Sequence, residues 1–258
     1  MELTSWRCLA DRGTDLVLCL DFPGGRAAAG FAELAAGVPV GACFLHIGRT
    51  GPGPLEEAVD RWVAEALGTG RPVRAVLGYC AGTALATRVA DAVAEAAAPP
   101  VVLLFDAVAT TSGSLAHQFT TALETSAAHL TADELDDARR LADELVEAHP
   151  DDPAPVAAGL TGRYDRLMGA VAARLSLNDF FRQELTCGFT DYADYLLLAA
   201  QGGFATRAGE PLFLSSKDHE PPVAGARDLA LAVEHTDLLR DAEVHALVAE
   251  LLRGERPW

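Results

Sequence analysis

The segment Val73-Arg74-Ala75-Val76-Leu77-Gly78-Tyr79-Cys80-Ala81-Gly82-Thr83-Ala84-Leu85-Ala86 runs from one kind of structure into another. Val73–Leu77 is a short apolar run that reads as a buried strand. Ala81–Ala98 is a long Ala- and Val-rich run that reads as a helix. Between them stands Gly-x-Cys-x-Gly, the context of a nucleophile at the tip of a sharp strand-to-helix turn. Such a turn needs small residues at close approach, hence Gly78 and Gly82. Cys80 at the tip sits at a helix N-terminus, whose dipole favours a thiolate. The amide of Ala81 points at the same spot and is one candidate oxyanion donor. The plainer reading, a small buried thiol packed as a hydrophobe, does not account for two glycines at this spacing.

The flanking chain repeats the alternation. Leu16–Leu20 is an apolar strand stopped by Asp21-Phe22-Pro23-Gly24-Gly25, and Val40–Ile47 is another, stopped by Gly48 to Pro54. Ala28–Ala36 reads as a short helix. Leu55–Leu67 has an apolar face made of Leu55, Val59, Trp62, Val63, Ala66 and Leu67. Val101–Phe105 is a strand after the Ala81–Ala98 helix. Apolar strands alternating with helices predict an α/β fold with a mostly parallel sheet flanked by helices. From Ser114 to Gln201 no convincing strand is found. Thr131–His149 is an amphipathic helix opened by Thr131 and Glu134 at capping-box spacing, with Pro150, Pro153 and Pro155 beyond it. Val156–Leu175 and Leu177–Ala200 also read as helical. Pro211–Ser215 resumes the strands, and Asp241–Leu252 is a closing helix. The predicted organisation is a core of 1–113 and 202–258 with a helical insertion, 114–201. An insertion of that length serves as a lid or binding element, or merely as a structural cap.

Composition narrows the function. The chain has 258 residues and a formal charge of −17, which argues against nucleic acid and against an anionic membrane surface. No apolar run reaches the ~20 residues of a membrane span. The N-terminal MELTSWRCLADRGTDL lacks the basic start and apolar run of a signal peptide. Five Cys form no CxxC pair; a disulfide framework or zinc site is not expected, and a reducing cytoplasm fits. No metal or nucleotide motif is present, so no cofactor is expected. Cys19 and Cys43 lie in apolar strands and read as core.

A Cys nucleophile needs a base. Of seven His, His46 ends a strand, His117, His129 and His149 fall in the insertion, and His245 lies in the last helix. His235, in Val233-Glu234-His235-Thr236-Asp237-Leu238-Leu239, follows the last strand and precedes the closing helix. It is the first choice, with His219 the rival. The acid that orients the imidazole is sought at a strand's carboxyl end, where open α/β sheets keep their sites. Asp106, after Val101–Phe105, is preferred; Asp218, after Pro211–Ser215, competes. The second oxyanion donor is sought after Leu16–Leu20. Pro23 has no N–H, which leaves Phe22 or Gly24.

Leu18–Leu34 (LCLDFPGGRAAAGFAEL), Gly78–Gly82 and Val233–Leu252 together resemble the α/β-hydrolase thioesterases that release chains from polyketide synthases and nonribosomal peptide synthetases. The resemblance covers most of the sheet-forming chain; the insertion matches only in position and kind. It implies an α/β-hydrolase fold with a helical lid. In chain-terminating members the acid directly follows the strand after the elbow, as Asp106 does. In free-standing editing members it follows a later strand, where Asp218 stands. The elbow residue of both groups is usually Ser. Cys80 with Asp106 and His235 is instead similar to the free-standing Dieckmann cyclases. These off-load acyl chains as tetramic acids or pyridones, and act on chains borne by the phosphopantetheine of an acyl or peptidyl carrier protein. Such carriers are commonly acidic, so docking to this acidic chain calls for a local basic patch. The run Gly78–Ala86 also looks like the elbow of dienelactone hydrolases, but those lack a helical insertion between nucleophile and His.

Overall fold

The computed structural model describes residues 3–22, 29–48, 50 and 53–255. Two compact units divide the chain, one formed by 1–109 with 201–258 and one by 110–200.

The first unit is built on a seven-stranded sheet. In chain order its strands are β1 (Trp6–Asp11), β2 (Asp15–Leu20), β3 (Ala42–Ile47), β4 (Val73–Tyr79), β5 (Val101–Phe105), β6 (Leu212–Ser215) and β7 (Asp228–Ala230). Their spatial order is β1-β3-β2-β4-β5-β6-β7. Only β1 is antiparallel, paired to β3 with a register shift between Cys8 and Ala10. Every other neighbouring pair is parallel. Helices α1 (Phe31–Gly37), α2 (Leu55–Leu67), α3 (Gly82–Ala96) and α8 (Ala242–Arg253) complete the unit. Leu16–Leu20 and Ala75–Tyr79 are buried on both faces, which is why they read as unbroken apolar runs rather than alternating ones.

The strand carrying Cys80 runs two residues beyond the apolar stretch Val73–Leu77. Gly78 pairs on both sides, with Leu20 and Leu104, and Tyr79 on one, with Phe105. The sequence places a break at Gly78 because Gly weakens strands; ladder partners from two neighbours override that. Pro153 and Pro155 likewise open the next helix rather than merely ending the one before it, in line with the preference of Pro for a first turn. Strands β1 and β7 and the N-terminal turn of the Ser112 helix carry no readable apolar run; β1 has only Trp6 fully buried.

The second unit is helical: α4 (Ser112–Thr125), α5 (Ala132–Ala148), α6 (Pro153–Arg174) and α7 (Asp179–Ala200), with a short 3-10 turn at Ala127–His129. Thr131 and Glu134 form the expected reciprocal cap of α5. Glu134 also takes the Arg174 guanidinium at 3.1 Å, tying the start of α5 to the end of α6. Phe119, Tyr164 and Phe189 form an aromatic cluster, with Tyr164 and Phe189 ring centroids 4.8 Å apart. Leu160, Leu167 and Met168 are buried, whereas Leu175, Phe180 and Phe181 are exposed. No described helix is long and apolar enough to cross a membrane.

Candidate active site

The carboxyl ends of β4, β5 and β6 bring the site together. After Tyr79 the chain turns at Cys80, whose φ of 54° lies in the left-handed region, a conformation that costs a non-glycine residue energy and persists only where the surroundings impose it. The Cys80 amide donates to the Phe105 carbonyl at 2.9 Å. The Cys80 carbonyl accepts from the amide of Thr83 at 3.2 Å and from its hydroxyl at 2.6 Å. Gly78 makes the turn possible, because a Cβ there would lie 2.5 Å from Thr83 Cα and 2.9 Å from the Gly82 carbonyl oxygen. Cys80 is partly exposed and precedes α3, with Ala81 at its N-cap. The first-turn amides and the helix dipole therefore favour negative charge near this end.

Asp106 follows β5 and is also in the left-handed region, at φ 40°. Its amide donates to Leu214 of β6 at 3.1 Å, so the strain is fixed by the neighbouring strand. The carboxylate is buried and both oxygens are engaged. Oδ1 accepts from the Ser216 amide at 2.7 Å, and Oδ2 lies 2.5 Å from His235 Nδ1. Burial alone raises the pKa of this carboxyl. The hydrogen bonds from His235 and Ser216, aided by the nearby His219, outweigh burial and hold it below the ordinary value. His235 occupies a 3-10 turn, His235–Asp237, and its side chain is half exposed. With Nδ1 on Asp106, Nε2 is the nitrogen left to handle a proton from a nucleophile or substrate.

The rival residues stand elsewhere. Asp218 is an exposed turn residue at φ 63°, inside the turn closed by the His219 amide on Ser216 at 3.1 Å. His219 Nε2 lies 3.1 Å from the Ala107 carbonyl oxygen, where it ties the loop after β6 to the loop after β5. The Phe22 amide donates to Asp21 Oδ1 at 2.7 Å, and must turn from that carboxylate to serve an oxyanion. Gly24 and Gly25 lie outside the described residues. Cys19 is fully buried, and burial, then the charge of Asp21, pushes its thiol well up. Burial, with Cys8 next, pushes Cys43 up to about 12. Both fit inert core thiols. Cys8 and Cys43, on adjacent strands, have Sγ atoms 4.0 Å apart and are not bonded.

Neither protein-family models nor curated protein sequences match this chain. Solved structures do. The chain is similar to holo-AB3403, a four-domain nonribosomal peptide synthetase bound to AMP and glycine, at 16% identity and a TM-score of 0.56. That likeness covers 98% of this chain and 20% of the synthetase. It is similar to the Vlm2 thioesterase domain, bound with a dodecadepsipeptide, at 16% identity and a TM-score of 0.51, over 96% of this chain and 97% of that one. It is also similar to a thermophilic esterase from Thermogutta terrifontis, at 14% identity and a TM-score of 0.50, over 97% and 93% of the two chains.

The chain has the α/β-hydrolase fold.

Within this α/β-hydrolase sheet, Cys80, Asp106 and His235 follow β4, β5 and the last strand, β7. Two further residues escaped the sequence reading. Ser216 contributes only a backbone amide, which leaves no motif. Tyr79 carried a signal, its place directly before Cys80 in the turn, but nothing local names a partner for its ring. Its hydroxyl lies 3.1 Å from Nε2 and 3.5 Å from Nδ1 of His235.

Proposed function

We propose that this protein off-loads an acyl chain from a carrier-protein thioester through an acyl-S-Cys80 intermediate, and closes the chain by a Dieckmann-type C–C bond to a tetramic acid or pyridone. The observation that carries this reading is the 2.5 Å contact between His235 Nδ1 and the buried Asp106, at the carboxyl end of the sheet's central strands, where the strained Cys80 precedes α3. His235 Nε2 takes the thiol proton while Cys80 Sγ attacks the thioester carbonyl. The C–S bond to the phosphopantetheine arm breaks, and the departing thiolate receives that proton. Asp106 holds the tautomer and supports the imidazolium. The Ala81 amide and, once turned from Asp21, the Phe22 amide are the proposed donors to the oxyanion.

In the second half-reaction His235 removes a proton from the carbon between two carbonyls of the chain. The enolate attacks the acyl-Cys carbonyl, the ring C–C bond forms, and Cys80 leaves as thiolate. A thioester is more electrophilic toward carbon than an oxoester, which favours Cys over Ser at the elbow. Intramolecular attack gains up to ~7–11 kcal/mol from proximity when the chain is held bent. We propose that the helical unit 110–200 is the lid that excludes water, which would otherwise intercept the intermediate. The likeness to thioesterase-containing structures supports the carrier-bound substrate.

The test uses a carrier-mimic thioester of an N-(β-ketoacyl) amino acid. The expected product is the tetramic acid, with the mass of the substrate less the thiol. A product heavier by one water, formed faster than background from a well-matched substrate, would leave a Cys-dependent thioesterase in place of the cyclase.

A further inference from the structure

The side chain of Tyr79 is fully buried, while that of His235 is half exposed on a 3-10 turn. The two rings stack, with centroids 5.4 Å apart and planes 25° apart. The Tyr79 hydroxyl is almost equally far from both imidazole nitrogens, 3.1 Å from Nε2 and 3.5 Å from Nδ1, and 3.3 Å from the His235 carbonyl oxygen. In nearly parallel rings such distances put the oxygen over the face of the imidazole, not in its plane along one lone pair. The hydroxyl proton then has an acceptor in the His235 carbonyl, and the oxygen lone pairs face the imidazole.

We infer that Tyr79 is a positioning residue for the base, which registers the His235 ring to the nucleophile elbow. The inference rests on the proposed roles of Cys80 and His235. Tyr79 is covalently next to Cys80, and its backbone pairs with Phe105 of β5. A ring stacked on it therefore keeps its place relative to the thiol even when the exposed turn moves. Asp106 fixes one edge of the imidazole; Tyr79 fixes its plane and its face.

The decisive variant is Tyr79→Phe, which keeps the buried ring and removes only the hydroxyl. Iodoacetamide alkylation of Cys80, mapped by mass spectrometry against the other four Cys, reads the thiolate directly and needs no acyl substrate. At neutral pH, Tyr79→Phe is expected to slow alkylation of Cys80 severalfold, because the ring that would take the thiol proton loses its register. It is also expected to weaken the ultraviolet thiolate absorbance that disappears in Cys80→Ala. In a His235→Ala background the same change should alter the rate less than twofold, because a residue acting through the base has nothing left to act on. Thermal melting of each variant checks the fold. Unchanged alkylation and absorbance in Tyr79→Phe, or equal slowing in both backgrounds, would overturn the inference and leave the Cys80–His235 pair standing. A wild type whose Cys80 reacts no faster than Cys8 and Cys187 would overturn the pair itself, and this inference with it.

Discussion

His235 Nδ1 and Asp106 Oδ2 stand 2.5 Å apart, although 129 residues separate them along the chain. The whole helical unit is inserted between them. The acid is positioned independently of the base: its amide is on Leu214, its other oxygen is on Ser216, and its backbone is held at positive φ. His235 is carried by a short exposed turn.

Replacing Cys80 by Ala is expected to abolish product formation and leave the melting temperature within a few degrees of wild type. The change removes a single sulfur, and the bonds to Phe105 and Thr83 that fix the turn are to backbone atoms of residue 80. Steady-state turnover with an acyl thioester and a thermal melt check both halves. Retained turnover would remove Cys80 from the mechanism.

Asp106→Asn is expected to cut turnover by orders of magnitude, up to about 10⁴ by analogy with serine triads. Asp218→Asn should stay close to wild type, because Asp218 is exposed in a turn. Parallel kcat determinations decide it. A larger loss in Asp218→Asn would move the acid to the later strand.

The depressed pKa of Asp106 links stability to pH. Burial opposes the charge, and the bonds from His235 and Ser216 outweigh it. Its folded-state pKa therefore lies below the unfolded one. The stabilisation is fully present above the ordinary carboxylate range and is lost as pH falls through the folded value. Melting curves should show wild type more stable than Asp106→Asn at pH 6–7, with the gap narrowing once the pH drops below about 4. A gap that widens in acid would contradict the assignment.

Asp91 on α3 offers a stability test away from the chemistry. Its Oδ1 accepts from the Thr206 hydroxyl at 2.6 Å and from the amides of Arg207 and Ala208 at 2.5 and 3.2 Å. Asp91→Ala takes that acceptor from the Thr206 hydroxyl and the Arg207 amide and should cost about 1–3 kcal/mol, read by urea unfolding. The alkylation rate of Cys80 should be unchanged.

Gly78→Ala should be worse than its size implies. The added Cβ meets Thr83 Cα at 2.5 Å and Ala86 Cβ at 2.8 Å, both on the helix that the turn must deliver. Overpacking of this kind costs about 1–3 kcal/mol or more. The measurement is soluble yield and melting temperature; a variant as stable as wild type would show that the turn relaxes freely.

Local chemistry made much of this legible. Leu16–Leu20 and Val101–Phe105 are apolar throughout because both faces of the sheet are covered, and such runs advertise themselves. Thr131 with Glu134 announces the start of α5, and Gly78 with Gly82 announces a turn that only small residues allow. β1 and β7 were silent for the opposite reason. They are the edge strands, partly exposed, and carry the mixed polarity of edges.

The residues alone determined the nucleophile's setting, since a strand, a tight turn and a helix N-terminus are all contiguous in sequence. They also determined the short list from which acid and base must come. Only the tertiary structure decided which acid meets which base. Asp106 and Asp218 both follow strands, and both adopt positive φ. The difference between them is that the β5–β6 pairing aims one inward, onto Ser216 and His235, and leaves the other in solvent. Tyr79 belongs to the same class. Its role depends on a ring 156 residues away in the chain, and contact between distant segments is set by strand order and register, which no local pattern encodes.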